Sequence, residues 1–483
     1  MPSNRGRTSK PTKVVFILTD DQGIWAAGCY GNPEIRTPNI DRLAATGVRF
    51  ENFFCTSPVC SPSRATFLTG RIPSQHGVHD WIRDGNVPPD EEMLSDPTRE
   101  AYPAVPYLEG QSTYSDIMAH HGYVCGISGK WHLGDSLNPQ HHFEHWFVHQ
   151  KGGGPYNNAP MVREGKLVNE PGYVTHVITD DALEFLDGHT DEPFYLSVHY
   201  TAPHSPWIDQ HPQEIVDSYD DCPFKSCPQE AKHPWATSLS DRCLGNREAL
   251  KGYFAAVTAM DIDVGRILGR IEDLGLAEDT LIIFTSDNGY SCGHHGFWGK
   301  GNGTFPLNMY ENSVKVPLII SHPGHIPEGE CTDALVSGYD FMPTLLEYLD
   351  LPLPQGEHLP GRSFLPLLSG ESGGSRDSVV VYDEYGPTRM IRTREWKYVH
   401  RTPYGPHELY DLVNNPDERQ NVMDEPAQQG RIREMRQQLA DWFAQYVDPA
   451  VDGVRLPVTG QGQRTRIGPQ DCGESCFYPV KQG

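Results

Sequence analysis

Short runs of branched and aromatic residues punctuate the chain at 14–18, 194–198, 281–284 and 316–320. Their lengths and uninterrupted apolar character predict fully buried parallel strands. Helical patterning lies between them. From about 248 to 274, Leu250, Phe254, Val257, Val264, Leu268 and Ile271 recur at steps of three, four and seven, with Gly275 as a stop. Strands alternating with helices predict an α/β fold, a large mixed, mostly parallel sheet sandwiched by helices.

The texture changes near Leu368. A Gly/Ser-rich stretch at 369–375 is followed by VVVYDEY, a short apolar run at 396–399 and a helical pattern over about 428–447. This predicts a smaller C-terminal α+β domain, with residues 1–370 as the main domain and 371–483 as the second. From about residue 448 the periodicity fades, and an irregular segment lying across the surface is expected. No repeat of solenoid length is present.

Composition narrows the function. The 483 residues are 37% hydrophobic and 21% charged, enough for a large core. With 39 Lys plus Arg against 64 Asp plus Glu, the formal charge of −25 has the wrong sign for tracking a nucleic-acid backbone. An anionic small molecule is not excluded, because surface charge is screened over roughly 8 Å at physiological salt and a local cation cluster decides what binds. No run approaches the roughly 20 apolar residues of a spanning helix, so no membrane partner is expected. The opening MPSNRGRTSK enters a strand-like VVFIL without an apolar leader. A soluble protein is expected, cytoplasmic as given and periplasmic or secreted if a signal has been removed. The eleven cysteines are too dilute for a disulfide scaffold, although Cys222 with Cys227 and Cys472 with Cys476 are spaced to close small loops.

Candidate chemistry gathers where strands end. Asp20 and Asp21 follow the first strand and precede Gly23; Asp287 and Asn288 follow LIIFTS and precede Gly289. In an open α/β sheet ligands collect beyond the carboxyl ends of strands. Asp20 and Asp21 taken alone read as a helix cap or a solvated turn. Two hard-oxygen pairs at two strand ends fit one divalent cation, Ca or Mg rather than Zn. Lys130 and His132 follow YVCGISG, His204 ends FYLSVHYTAPH, and Lys300 lies in a WGKG turn, all read as positions past a strand. A lysine offers a point charge and a histidine a proton near neutral pH. The segment Cys60-Ser61-Pro62-Ser63-Arg64 opens a helix-like stretch running to Arg71, and Cys60 taken alone reads as a small buried hydrophobe.

Here the chain resembles a known family. CSPSRATFLTGR at 60–71 is similar to the signature of the type I, formylglycine-dependent sulfatases of the alkaline phosphatase-like superfamily. The likeness extends through GCYGNPEIRTPNIDRLAATGVRF, SGKWHLG at 128–134, TAPH at 201–204, TSDNG at 285–289 and HHGFWGKG at 294–301. ELYDLVNNPDERQNV resembles the family's smaller domain. The resemblance implies that Cys60 is oxidised by a formylglycine-generating enzyme during maturation to Cα-formylglycine. It implies that Asp20, Asp21, Asp287, Asn288 and residue 60 hold Ca, with Mg as the alternative, and that Arg64 steadies the aldehyde hydrate. By the same resemblance the hydrate is the nucleophile toward sulfur, Lys130 and Lys300 offset charge on the sulfate, His204 protonates the leaving oxygen, and His132 acts as base in sulfate release.

Trp81, Arg83, Trp207 and His211 are candidate pocket walls, the tryptophans as stacking faces for a sugar or aromatic ring; each reads equally as core. His79, His294 and His295 lie near the motifs, and their sequence context does not separate substrate contact from structural hydrogen bonding. The expected substrate is a small sulfate monoester, first a sulfated carbohydrate. The alternatives are aryl or choline sulfates, a phosphonate or phosphodiester hydrolase of the same superfamily, and a non-catalytic binder of sulfated glycans. The oxygen set at 287–288, Asp-Asn rather than Asp-His, leans toward sulfate.

Overall fold

The computed structural model describes residues 12–87, 103–371, 373–467 and 476–480. The four apolar runs form strands, each extended by a residue or two: β1 (Lys13–Thr19), β7 (Phe194–His199), β8 (Thr280–Ser286) and β9 (Lys315–Ser321). They join β2 (Val48–Phe54), β3 (Val124–Gly129), β4 (Phe143–His149), β5 (Asn157–Arg163), β6 (Lys166–Tyr173) and β10 (Glu330–Thr332) in one sheet of order β10-β2-β9-β8-β1-β7-β3-β4-β5-β6.

Strands β8, β1, β7, β3 and β4 run parallel. Strand β9 departs from the parallel expectation: it pairs antiparallel with both β8 and β2. An apolar run reports burial on both faces and carries no information on direction.

Two apolar layers follow from the pleat. Val15 and Ile17 of β1 face one, with Phe254, Val257, Val264 and Ile271 of the long helix, while Val14, Phe16 and Leu18 face the other, with Phe67 and Phe341. The helices that matter below are α1 (Pro38–Ala45), α2 (Cys60–Thr69), α3 (Val174–Gly188) and α4 (Arg247–Asp273). Helix α4 starts where Asn246 accepts from the amides of Glu248 and Ala249, and it gives way at Gly275, whose φ is +69°.

Helix α4 also caps a neighbour. Thr37, at the start of α1, makes no side-chain capping bond. Instead the buried carboxylate of Asp261 accepts from the amides of Asn39 (3.1 Å) and Ile40 (2.8 Å) and from the Asn39 side chain (2.9 Å).

The second unit is an antiparallel sheet of β11 (Ser378–Asp383), β12 (Thr388–Thr393), β13 (Trp396–Arg401) and β14 (Glu408–Asp411), covered by α5 (Gln429–Tyr446). Ile432, Met435, Leu439 and Phe443 of α5 bury against Val380, Tyr382, Ile391 and Tyr398.

The segment after α5 has little regular structure, as expected, but it does not simply cross the surface. Gln463 is fully buried, and its backbone amide donates to Trp81 O at 2.8 Å. Cys222 and Cys227 both carry free thiols, and Cys472 lies outside the described residues. Among the described residues no helix is long and apolar enough to cross a membrane.

Replacing Asp261 with Ala strands three donors in a buried place. Urea denaturation of Asp261→Ala is expected to show a loss of about 2 kcal/mol in unfolding free energy, with little change in m-value.

Candidate active site

Four adjacent parallel strands deliver their next residues to one edge. Strand β1 ends at Asp20 and Asp21, β8 at Asp287 and Asn288, β3 at Lys130 and His132, and β7 leads to His204. The ladder continues past the strands: Asp20 N donates to Ala202 O (3.1 Å), Asp287 N to Thr19 O (3.1 Å) and Lys130 N to His199 O (2.8 Å). Asp21 and His132 adopt left-handed backbone, with φ of +63° and +57°. Strained conformations of this kind persist where surrounding contacts over-determine them.

Helix α2 brings Cys60 to the same place. All ten of its residues are buried, so it is fixed by polar bonds as well as apolar packing. Ser61 Oγ donates to His132 O (3.0 Å), Ser63 Oγ to Asp287 O (2.5 Å), Arg64 Nε to Asp287 Oδ2 (2.8 Å) and Arg64 Nη1 to Lys130 O (2.9 Å). Pro62 falls in the first turn, where a missing N–H costs nothing, and Gly70 ends the helix at a φ of +66°.

The charged groups interlock. Lys130 Nζ donates to Asp20 Oδ2, and Cys60 Sγ lies 3.3 Å from Asp20 Oδ1. Lys300 Nζ donates to Asp21 Oδ1 (2.6 Å) and to Cys60 Sγ (2.8 Å). Asn288 Nδ2 donates to Asp21 Oδ1 (2.7 Å), and His204 Nε2 stands 3.8 Å from Asp21 Oδ2.

Burial alone would raise the Asp20 carboxyl, but Lys130, His204, Arg64 and Lys300 hold it well below the usual range. Asp287 is pushed the other way, upward, by burial and by Asp20. Burial and Asp20 push the Cys60 thiol up to about 12 against Lys130 and Lys300, so it is protonated at neutral pH. Burial, Lys130 and Arg64 hold His132 well below its ordinary value and hence neutral.

The residues fit a hard cation. Ligand atoms of Asp20, Asp21, Cys60 and Asp287 lie within 4.8 Å of one another, and the buried Asn288 Oδ1 has no hydrogen-bond partner. Buried polar oxygens are ordinarily satisfied. A protonated thiol is a weak ligand beside these oxygens, so the set becomes all-oxygen if residue 60 carries oxygen in place of sulfur.

A cavity of about 430 Å³ opens over Cys60. Trp81, Arg83, His132, His204 and Lys300 line it, together with Lys151, Gly152, Gly153 and Asn302, which the sequence reading missed. Lys151 had a signal: KGGG follows β4, the fifth parallel strand, at the same sheet edge. Gly152 is required there, since a Cβ would come within 2.0 Å of His132 Nε2.

Two candidate wall residues are core instead. Trp207 is 5% exposed, packed on Tyr253, Tyr290 and Trp298, and its indole N–H donates to Pro203 O. His211 is buried against Tyr156 and bonds the Tyr173 hydroxyl at 2.9 Å. Both follow His204 closely in sequence, but their side chains point inward to separate aromatic groups while Ile208 and Asp209 between them stay exposed. His79 bonds Val451 O, His294 bonds Ser226 O and His295 stacks on Tyr310, so all three have structural partners.

A family model described as Sulfatase matches residues 12–351, and one described as N-sulphoglucosamine sulphohydrolase, C-terminal, matches residues 293–445. The chain belongs to the sulfatase family, within the alkaline phosphatase-like superfamily, and is a sulfuric ester hydrolase. It is 27% identical to an N-acetylglucosamine-6-O-sulfatase of Bacteroides thetaiotaomicron, over 91% of this chain and 88% of that one. It is 30% identical to human arylsulfatase A, over 86% and 84% respectively. Its fold is similar to a protein solved in complex with its substrate D-glucosamine-2-N,6-O-disulfate, with a TM-score of 0.77, 24% identity and coverage of 92% of this chain and 100% of that one.

Burial holds His211 at about 3 rather than its ordinary 6.5. The unfolded chain therefore binds the extra proton first, and the stability that neutral His211 contributes is present above about pH 6.5 and lost as pH falls toward 3. Thermal melts of the native protein and His211→Asn are expected to differ most near pH 7.5 and to converge by pH 4. A difference in Tm that stays constant with pH would contradict this origin.

Proposed function

We propose that the chain hydrolyses a sulfate monoester on a carbohydrate, giving an alcohol and inorganic sulfate, with formylglycine made from Cys60 and a bound Ca, or Mg, at the site. The observation that carries this reading is Cys60 at the base of a cavity, within reach of both Lys300 Nζ and Asp20 Oδ1. A protonated thiol beside a lysine and a carboxylate is a poor nucleophile, whereas an oxygen nucleophile in its place suits attack on sulfur. The relatives support a sugar: one is an N-acetylglucosamine-6-O-sulfatase and another an N-acetylgalactosamine-6-sulfatase.

Residue 60, as the formylglycine hydrate, supplies a hydroxyl nucleophile. Asp20, Asp21, Asp287 and Asn288 would hold the cation, which supplies positive charge to sulfate oxygens. Three carboxylates already face Lys130, Lys300 and Arg64, so a divalent ion leaves the site with excess positive charge for a mono-anionic ester.

The remaining steps belong to the chain's own groups. Lys300 orients the sulfate beside residue 60, and Lys130 fixes Asp20. Arg64 acts through Asp287, holding that carboxylate in place. His204 donates Nδ1–H to Ser205 O (2.7 Å), which leaves Nε2, facing the Asp21 carboxylate, to deliver a proton to the departing alcohol. His132 donates Nε2–H to Ile82 O (3.0 Å), and its Nδ1, which has no partner, is free to take the proton of the second residue 60 hydroxyl, so that the aldehyde carbonyl re-forms and the bond from residue 60 to the departing inorganic sulfate breaks. Residues 1–370 form the catalytic unit in this reading and 371–483 a supporting one, with a formylglycine-generating enzyme acting during maturation.

Sulfate release from a panel of monosulfated sugars tests the reading. Mature enzyme is expected to act on at least one sugar, Cys60→Ala to lose activity by about 10³-fold or more, and peptide mass around residue 60 to show the aldehyde. Preference for aryl or choline sulfates over every sugar would overturn the carbohydrate assignment. Chelation is expected to abolish turnover and added Ca to restore it; full activity after exhaustive chelation would remove the cation from the mechanism.

A further inference from the structure

The charge cluster at the cavity base leaves two cations unaccounted for. Lys151 and Arg83 line the same cavity as Cys60. Among the described residues Lys151 makes no ion pair, and the carboxylate that Arg83 approaches, on Asp84, is 4.0 Å away. That carboxylate accepts a hydrogen bond from the Tyr478 hydroxyl, which further reduces its hold on Arg83. In a chain with 64 acidic side chains against 39 basic ones, two cations in one cavity with no carboxylate of the described residues nearer than 4.0 Å stand apart from the prevailing pairing.

Arg83 is also held in place. Its guanidinium lies over the Tyr478 ring at 4.4 Å, and Gly462 packs so closely that a Cβ there would come within 2.7 Å of Arg83 Cβ. Trp81, beside it, is anchored by its indole N–H to Gly460 O at 3.3 Å. A planar guanidinium fixed by stacking has lost its conformational freedom before any ligand arrives, and its fork geometry matches carboxylate and sulfate oxygens.

We infer that Arg83 and Lys151 bind a second anionic substituent, a carboxylate or a further sulfate, on the same sugar whose ester is cleaved at residue 60. This rests on the carbohydrate reading above and narrows it to di-anionic sugars. Lys300 at the base serves the reacting sulfate, while Arg83 and Lys151 face a group elsewhere on the ring. General attraction would act differently: cations that only steer anions raise kcat/KM for every anionic substrate, with strong salt dependence, whereas a built subsite separates substrates by their second charge.

The test uses mature enzyme and paired substrates at fixed ionic strength. One pair is a monosulfated hexosamine and its N-sulfated counterpart; the other is a monosulfated hexose and the corresponding hexuronate. The second anion is expected to raise kcat/KM about tenfold or more in at least one pair, mostly through KM, and the pair that responds identifies the anion. Lys151→Gln, at an exposed position, and Arg83→Gln are each expected to bring that ratio severalfold closer to one, with melting temperatures checking that both variants fold. A ratio at or below one in both pairs, or a ratio that neither variant changes, overturns the inference while sulfate release from monosulfated sugars leaves the carbohydrate reading standing. No release from any sulfated sugar overturns both.

Discussion

Three carboxylates and three cations share one desolvated edge of the sheet, and the site exists because they neutralise one another there. Asp20 and Lys130 are both fully buried, as are Asp287 and Arg64, and Lys300 reaches Asp21 and Cys60 together. Removing one partner of such a pair leaves a charge with neither water nor counterion, which costs about 3–5 kcal/mol. The cluster is therefore held as a whole, and the strand register that sets Asp20 beside Asp287 and Lys130 is what permits it. A slip of one residue in β1 would turn Asp20 to the opposite face.

Much of this was legible in the chain. The apolar runs marked the strands, and the rule that ligands gather past carboxyl ends led to Asp20, Asp287 and Lys130 without any long-range information. The i, i+4 spacing of Arg64 from Cys60 was readable too, but its partner was not: Arg64 grips Asp287, which lies 223 positions away. Direction was illegible for β9, because burial on both faces looks alike in parallel and antiparallel strands. Trp207 and His211 misled for a related reason. Proximity in sequence to His204 says nothing about which way a side chain points, and aromatic partners were available to bury both, Tyr253 and Tyr290 for Trp207, Tyr156 and Tyr173 for His211.

Trp81 and Arg83 were legible as candidates for the cavity wall, whereas Lys151, Gly152, Gly153 and Asn302 were not. The loop around Trp81 and Arg83 is shaped by a weakly patterned segment near the other end of the chain. Gln463 accepts from the amides of His79 and Asp80 and donates to Gly77 O, while Gly462 N donates to Asp80 Oδ2. No periodicity advertises such a segment, because it acts through backbone groups and a few isolated side chains, the Gln463 amide and the Tyr478 ring among them.

That arrangement separates chemistry from recognition along the chain. The contact between Gln463 and Asp80 spans 383 positions, so a ribosome can have released every member of the charge cluster before the segment that holds the Trp81–Arg83 part of the wall. Variation in the segment around Gln463 would then retune which molecules fit without disturbing the reacting groups.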